Sequence, residues 1–179
     1  MALKSTIFKA TVQIADLDRH YYRDHALVLA RHPSETDERM MVRLLAFALN
    51  AHDDLLFGKG LSTEDEPALW QKDLTGAVEL WIEVGQPDER ELRRACGRAR
   101  RVIVYGYGGR TADLWWQQNK DKLERLKNLT VVNLPFDATQ ALAKLARRNM
   151  QLQCTIQDGV AWLAGDSERV EITPIPLRQ

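Results

Sequence analysis

Three acidic residues occupy positions from which they could bind one metal ion. Asp73 ends one apolar segment, and Glu83 lies near the end of the next, after a turn at Thr75-Gly76. Glu38 precedes both, in a segment with helical spacing. If the turn brings the two segments side by side, Asp73 and Glu83 converge on one divalent ion. Carboxylates suit Mg²⁺, which is commonly held by one or two of them together with water and substrate phosphate.

The segments that carry these residues are predicted to be a helix followed by a β-hairpin. The helix is predicted over residues 35–51, because apolar side chains recur there at three- and four-residue spacing and acidic residues occupy its first turns. The strands are predicted to end at Asp73 and to run over residues 78–85. Glu83 therefore lies at a strand end, where ligands commonly bind in α/β sheets. The alternative for Glu38 is a structural carboxylate at the positive end of the helix dipole.

The rest of the chain alternates between strands and helices. A hairpin is predicted over residues 5–15 and 21–29, and a loop over residues 58–67. The remaining predicted elements are a short strand at 54–57, a helix from 87 to about 100, a strand at 102–105, a helix at 111–127, a strand at 129–134, a helix at 137–148, and strands at 151–156, 161–163 and 170–172. The predicted fold class is α/β, with a mixed central sheet flanked by helices in one domain over residues 1–179.

Composition excludes several classes of protein. The 179 residues carry a net charge of zero, so a nucleic-acid site must be a local patch rather than a general basic field. The two cysteines, Cys96 and Cys154, form no CxxC pair, and the four histidines show no zinc-binding spacing. There is no run of about 18 apolar residues and no signal-peptide pattern. We therefore expect a cytoplasmic protein that does not span a membrane.

The sequence resembles a known superfamily and, within it, a known family. The order helix, three-stranded meander, helix and strand over residues 35–106 is similar to the core of the PD-(D/E)XK nuclease superfamily. More closely, nearly the whole chain resembles the YaeQ family of uncharacterised bacterial proteins. The matching segments are ERMMVRLLAFA at 38–48, EPALW at 66–70 and LWIEVGQPD at 80–88. This resemblance implies a nuclease-like core with additional strands at both ends, and it implies no known activity.

The nuclease resemblance implies metal-assisted phosphodiester hydrolysis and a role for each site residue. Asp73 and Glu83 would hold Mg²⁺, with the carbonyl of Val84 as a third protein oxygen. Glu38 would complete the outer shell of the metal, and Gln86 would position the attacking water. The ion would lower the pKa of that water and offset charge at the phosphate.

The lysine of the superfamily motif is absent from this chain. Two residues after Glu83, where that lysine would lie, the sequence has Gly85. A preorganised donor of this kind is worth roughly 3–4 kcal/mol of transition-state stabilisation, so either another cation replaces it or the site does not hydrolyse. The following helix offers candidates for phosphate binding: Arg90, Arg94, Arg98 and Arg101. The alternative is a solvated helix face whose arginines pair with neighbouring carboxylates.

Three functions fit this sequence. The first is a Mg²⁺-dependent nuclease that acts on nucleic acid. The second is a non-catalytic nucleic-acid or protein binding module on a degenerate nuclease fold. The third is a hydrolase of small molecules that uses the same carboxylates. Metal dependence distinguishes an enzyme from a binding module, and steep salt dependence is the property of phosphate contacts. Fold alone does not decide among the three.

Overall fold

Two mixed β-sheets and four helices make up the part of the chain that the computed structural model describes, which is residues 4–59 and 65–179. The strands are β1 (Thr6–Asp16), β2 (Tyr21–Arg31), β3 (Leu55–Phe57), β4 (Leu69–Lys72), β5 (Val78–Val84), β6 (Ala99–Gly106), β7 (Leu129–Asn133), β8 (Asn149–Gln157), β9 (Val160–Ala164), β10 (Arg169–Ile172) and β11 (Ile175–Arg178). The helices are α1 (Asp37–Leu49), α2 (Glu89–Arg98), α3 (Arg110–Leu123) and α4 (Phe136–Ala143). Residues 60–64 of the predicted loop lie outside the described residues.

The strands form two sheets, so the prediction of one central sheet is wrong, whereas the α/β class and the mixed strand directions are confirmed. Sheet A has the order β10-β9-β8-β1-β2, and its β1 runs parallel to β8. Sheet B has the order β11-β7-β6-β5-β4-β3. In sheet B, β5, β6 and β7 are parallel, and β3, β4 and β11 are antiparallel to their neighbours. Alternating apolar positions predict that a strand buries a face, but not which sheet it joins.

Helix α1 supplies the centre of the main core. Every residue from Met40 to Ala48 is buried, and all of these side chains except that of Arg43 pack in one cluster with inward-facing residues of both sheets. The opposite face of sheet B is covered by α2 and α3 around a second cluster that includes Trp81 and Leu92. Sheet B therefore separates two apolar layers, and the ends of its strands are free to carry polar residues. Within the described residues, no helix is long and apolar enough to cross a membrane.

Several elements differ from their predicted bounds; helix α3, for example, ends at Leu123, four residues before the predicted position. Helix α2 ends at Arg98 because the next residues pair in parallel with β5, Leu80 opposite Arg101, which places Arg101 in β6 instead of on the helix. Helix α4 ends at Ala143, five residues before the predicted position. Strand β11 was not predicted, because its four residues include Pro176 and lie at the edge of sheet B, without an alternating pattern of burial.

Candidate functional site

Glu83 is a half-buried carboxylate at the carboxyl end of β5. Its side chain shares a strand face with Trp81, whose indole Nε1 donates a 2.9 Å hydrogen bond to Glu83 Oε1. Burial raises the pKa of Glu83 to about 7, although the bond from Trp81 and the charge of Arg39 act in the opposite direction. A carboxyl that titrates near neutral pH in a cleft is typical of functional sites.

A cleft of about 280 Å³ opens beside Glu83. Charged side chains from four parts of the chain line it: α1, the segment before β4, β5 and α2. The positive ones are Arg39, Arg94 and Arg98, and the negative ones are Asp65, Glu66, Glu83 and Glu91. Val84 and Gln86 also line it, at the point where β5 ends. The cleft thus combines carboxylates and guanidinium groups, which suits a ligand with both a cation and an anionic oxygen.

Asp73 lies at the opposite end of the hairpin from Glu83, so the predicted convergence of the two carboxylates is wrong. The Asp73 carboxylate closes the β4–β5 turn, where it accepts hydrogen bonds from Thr75 N at 2.8 Å and Ala77 N at 3.0 Å. The Thr75 hydroxyl donates a further hydrogen bond to it at 2.6 Å. This bond has the largest effect, and together the bonds lower the pKa of Asp73. Six residues of extended chain separate Ala77 from Glu83, which corresponds to about 20 Å. Asp73 is therefore a turn residue and cannot share a metal ion with Glu83.

The carboxylates that lie near Glu83 are Glu91 of α2, whose charge raises the pKa of Glu83, and two from the segment before β4. Because β4 is antiparallel to β5, with Leu69 opposite Ile82, the start of β4 lies beside the end of β5. This register brings Asp65 and Glu66 to the cleft. Local patterns gave no sign of Asp65 or Glu66, although antiparallel pairing places the residues before β4 beside the end of β5.

Glu38 does not contribute its carboxylate to this cleft. Its Oε2 accepts hydrogen bonds from the hydroxyl of Thr139 at 3.0 Å and from Nε2 of Gln140 at 2.8 Å, both on α4. The side chain therefore joins α1 to α4, and its predicted place in the outer shell of a metal at Glu83 is wrong. The residue that α1 presents to the cleft is the next one, Arg39.

The loop after β5 has a backbone conformation that favours glycine at position 85, where the nuclease resemblance would place a lysine. Gly85 has a φ of +95°, a backbone conformation that side chains other than glycine rarely adopt. The next residue, Gln86, donates its amide Nε2 to the carbonyl oxygen of Tyr107 and so ties this loop to the end of β6. The amide oxygen of Gln86 is then the group that could accept a hydrogen bond from a ligand in the cleft.

The four predicted phosphate-binding arginines do not share one face. Arg94 and Arg98 line the Glu83 cleft, whereas Arg90 lines a separate groove with Trp115 of α3. Each four-residue step exceeds a helical turn by about 40°, so such a row drifts around the helix. Arg101 is not part of the arginine row on α2, because it lies in β6. Arg98 Nη1 also donates to the carbonyl oxygen of Asp65 at 3.3 Å, and its guanidinium lies 5.0 Å from the Trp81 ring centroid.

The oxygen atoms of the cleft are of the type that binds Mg²⁺, but they do not form a complete coordination shell. Among residues 4–59 and 65–179, no three His, Cys, Asp or Glu side chains lie close enough together to hold a metal. Glu83 with Asp65 or Glu66, and the carbonyl of Val84, are oxygen ligands of the type that Mg²⁺ takes. Because Mg²⁺ is often bound by one or two carboxylates and completed by substrate phosphate, this set suits an ion that arrives with its ligand.

Comparison with known proteins establishes the family. The family model described as YaeQ protein matches residues 1–174. The chain belongs to the YaeQ family. Two similar YaeQ-family proteins, each called "Uncharacterized protein YaeQ", are from Escherichia coli strain K12, at 48% identity, and Salmonella typhi, at 49%. Each alignment spans 172 residues, which is 96% of this chain and 95% of the relative.

Two solved YaeQ structures share the fold. The crystal structure of YaeQ protein from Xanthomonas axonopodis pv. citri superimposes with a TM-score of 0.95 at 49% identity, over 97% of this chain and 98% of that one. The structure from Pseudomonas syringae gives a TM-score of 0.94 at 38% identity, over 98% and 97% of the two chains. The YaeQ architecture of two sheets around α1 therefore holds across these relatives, and their names carry no activity to this chain.

Proposed function

We propose that this YaeQ-family protein is a metal-dependent phosphodiester hydrolase of the nuclease-like class, with the Glu83 cleft as its active site. The observation that carries the proposal is the cleft itself, where Glu83 faces arginines from two helices and carboxylates from the start of β4. The element order α1, β3, β4, β5, α2, β6 also matches the helix, meander, helix and strand of a PD-(D/E)XK core. This match supports the fold assignment but does not by itself decide the chemistry.

The residues of the cleft fall into two groups, those that would hold the metal ion and those that would bind phosphate. Glu83, aided by Asp65 or Glu66, would hold Mg²⁺, which would activate water and neutralise charge at the phosphoryl group. Arg94 and Arg98 would bind non-bridging phosphate oxygens through their guanidinium donors. The amide oxygen of Gln86 would accept a hydrogen bond from water, while its nitrogen stays on Tyr107. Hydrolysis would break one phosphorus–oxygen bond and transfer a water oxygen to phosphorus.

The test is cleavage of end-labelled DNA and RNA oligonucleotides, single- and double-stranded, in Mg²⁺, Mn²⁺ or EDTA. We expect cleavage only with metal, and its loss in Glu83→Gln. Asp73→Asn is the matched control, because that carboxylate lies on the same hairpin at the far end and must leave the rate unchanged. Equal activity in EDTA, or full activity of Glu83→Gln, would refute the proposal.

A second candidate is a nucleic-acid binding module without catalysis. It is favoured by Gly85 in place of the motif lysine and by the position of Asp73 and Glu38 away from Glu83. Gel-shift titration of the same oligonucleotides in EDTA separates the two. Binding that weakens steeply between 50 and 200 mM salt, as expected for phosphate contacts, without cleavage in any metal, would favour the module.

A further inference from the structure

A buried ion cluster fixes the position of Arg39 at the rim of the cleft. Glu35, which precedes α1, accepts hydrogen bonds from Arg43 Nε at 2.9 Å and Nη2 at 2.6 Å, and a third from Arg39 Nη1. The side chains of Glu35 and Arg43 are each only 2% exposed, and Arg43 also donates to the carbonyl oxygen of Ala30 at 3.2 Å. Glu35 is thus a rigid anchor, since its own position is determined by a fully buried guanidinium.

The cluster holds more positive than negative charge. One carboxylate, Glu35, faces two guanidinium groups, and the bidentate bond from Arg43 already neutralises it. The remaining charge lies on Arg39, whose side chain is 16% exposed and lines the Glu83 cleft. Its effect reaches the cleft, because the charge of Arg39 lowers the pKa of both Glu83 and Tyr107 against the effect of burial.

We propose that Arg39 is the cation that binds the scissile phosphate in place of the missing motif lysine, and that Glu35 and Arg43 are its positioning residues. The inference rests on the proposed function and names the group that stabilises charge on the phosphoryl oxygens. Arg39 donates one N–H to Glu35 and keeps others for an oxyanion, because a guanidinium carries five donors in a fixed plane. Held in this way, it loses less conformational freedom on binding than a free side chain does.

The other cations of the cleft are less suited to this role. Arg98 donates to the Asp65 carbonyl and stacks on Trp81, which directs it along the cleft wall. Arg94 is exposed on α2. A lysine at Gly85 would require a strained backbone, so a cation on the neighbouring helix α1 is the available alternative. Arg39 alone among these cleft arginines is held by a buried carboxylate, which is the preorganisation that transition-state stabilisation requires.

The experiment compares Arg39→Gln and Arg39→Lys with Arg93→Gln. Arg93 is the matched control, because it makes the same four-residue ion pair, with Glu89 on α2, but does not line the Glu83 cleft. For metal-dependent cleavage, we expect Arg39→Gln to lower kcat by about 100- to 1000-fold with a smaller change in KM. Arg39→Lys, which keeps the charge but not the planar fork, should recover part of that loss. Arg93→Gln should stay within twofold of the wild type.

Oligonucleotide binding in EDTA, measured by calorimetry, gives a readout that does not need catalysis. There, Arg39→Gln should weaken binding roughly tenfold or more, as for a lost hydrogen bond to a charged group, and Arg93→Gln should not. If the wild type binds but cleaves nothing, and binding depends on Arg39, the phosphate contact of Arg39 stands, while its role at a scissile phosphate and the hydrolase proposal both fail. If Arg39→Gln cleaves or binds like the wild type, the inference is refuted and the hydrolase proposal stands on the Glu83 result. A wild type that neither binds nor cleaves refutes both.

Discussion

Burial gives the carboxyl of Glu83 a proton affinity that an exposed carboxylate does not have. Its pKa rises from 4.5 to about 7, so between these values the folded protein binds this proton more tightly than the unfolded chain does. The contribution to stability is therefore complete below about pH 4.5 and is lost as the pH rises through 7. Keeping this carboxylate ionised in the cleft therefore has a cost in stability, as is common at functional sites.

Glu83→Gln tests this linkage. We expect the variant to gain stability over the wild type as the pH rises from 4.5 to 8, by at most about 3 kcal/mol at 1.36 kcal/mol per pKa unit. Urea denaturation at both pH values measures the difference. Asp73→Asn should behave oppositely, because the pKa of Asp73 is lowered and its contribution is lost as the pH falls. A stability difference between Glu83→Gln and the wild type that does not vary with pH would contradict the raised pKa of Glu83.

The residues of the site were only partly predictable from local patterns. Glu83 could be predicted because strand alternation and the following Gly85-Gln86 place it at a strand end. Asp73 was misplaced because its position depends on hairpin register, and in an antiparallel pair the residues at the turn lie furthest from the end of the second strand. Arg39 has a local signal in its i, i+4 partner Glu35, but its proposed role depends on the burial of that carboxylate, which exists only in the folded protein.

At the scale of elements, one backbone position decides how the site can be built. Strand β5 must turn sharply into the α2 loop, and Gly85 makes that turn with a positive φ, while its amide N–H donates to the carbonyl oxygen of Tyr105 at 2.9 Å. The turn puts Gln86 where its amide reaches Tyr107. A glycine here therefore shapes the mouth of the cleft, and the positive φ disfavours a lysine or any other side chain at this position.

Gly85→Lys should not restore a superfamily site. We expect it to destabilise the protein by about 1–3 kcal/mol, the cost of a side chain in a sparsely populated backbone region, and to add no cleavage activity. Gly97→Lys is the control, because Gly97 lies in α2 and an added Cβ there meets nothing within 4 Å. The same lysine should stabilise that helix by up to about 1 kcal/mol. Urea midpoints compare the two, and a Gly85→Lys protein of unchanged stability would be the contrary result.

The approximate bounds of most elements followed from sequence, whereas the boundary between α2 and β6 did not. Helix α1 and strands β1, β2 and β5 were predicted nearly to the residue, because each buries apolar side chains with its own regular period. The spacing of apolar residues at the start of β6 continues that of the preceding helix, and only the pairing with β5 makes this segment a strand. Where a neighbouring strand decides the conformation, local spacing is a weak guide.

For the whole molecule, α1 is the element on which both sheets depend. Leu44 is fully buried, and the cluster around it draws side chains from sheet A, sheet B and α4. Without this helix the inner face of each sheet would be exposed to water, so the two sheets should unfold together. The split into two sheets was not predictable, because alternation in β1 and β8 is the same whichever sheet they join.

Leu44→Ala tests this dependence. We expect a loss of about 2–5 kcal/mol, as for other buried leucines truncated to alanine, with one transition observed by both far-UV circular dichroism and tryptophan fluorescence. The tryptophans of the second cluster lie on the face of sheet B opposite α1, so their fluorescence reports on that layer. Separate midpoints for the two signals would mean that the two apolar layers unfold independently. Leu114→Ala, on an exposed position of α3, should change stability little.

The pairing of β1 with β8 has a consequence for how the chain is made. Residues 9–16 can pair with their parallel partner only when residues 149–156 exist, so β1 waits for a strand that is synthesised some 140 residues later. At 5–20 residues per second this interval is about 7–28 s. During it, the edge of β1 that later pairs with β8 is unpaired and the apolar face of the β1–β2 hairpin is uncovered, and transiently exposed surface of this kind is prone to aggregation.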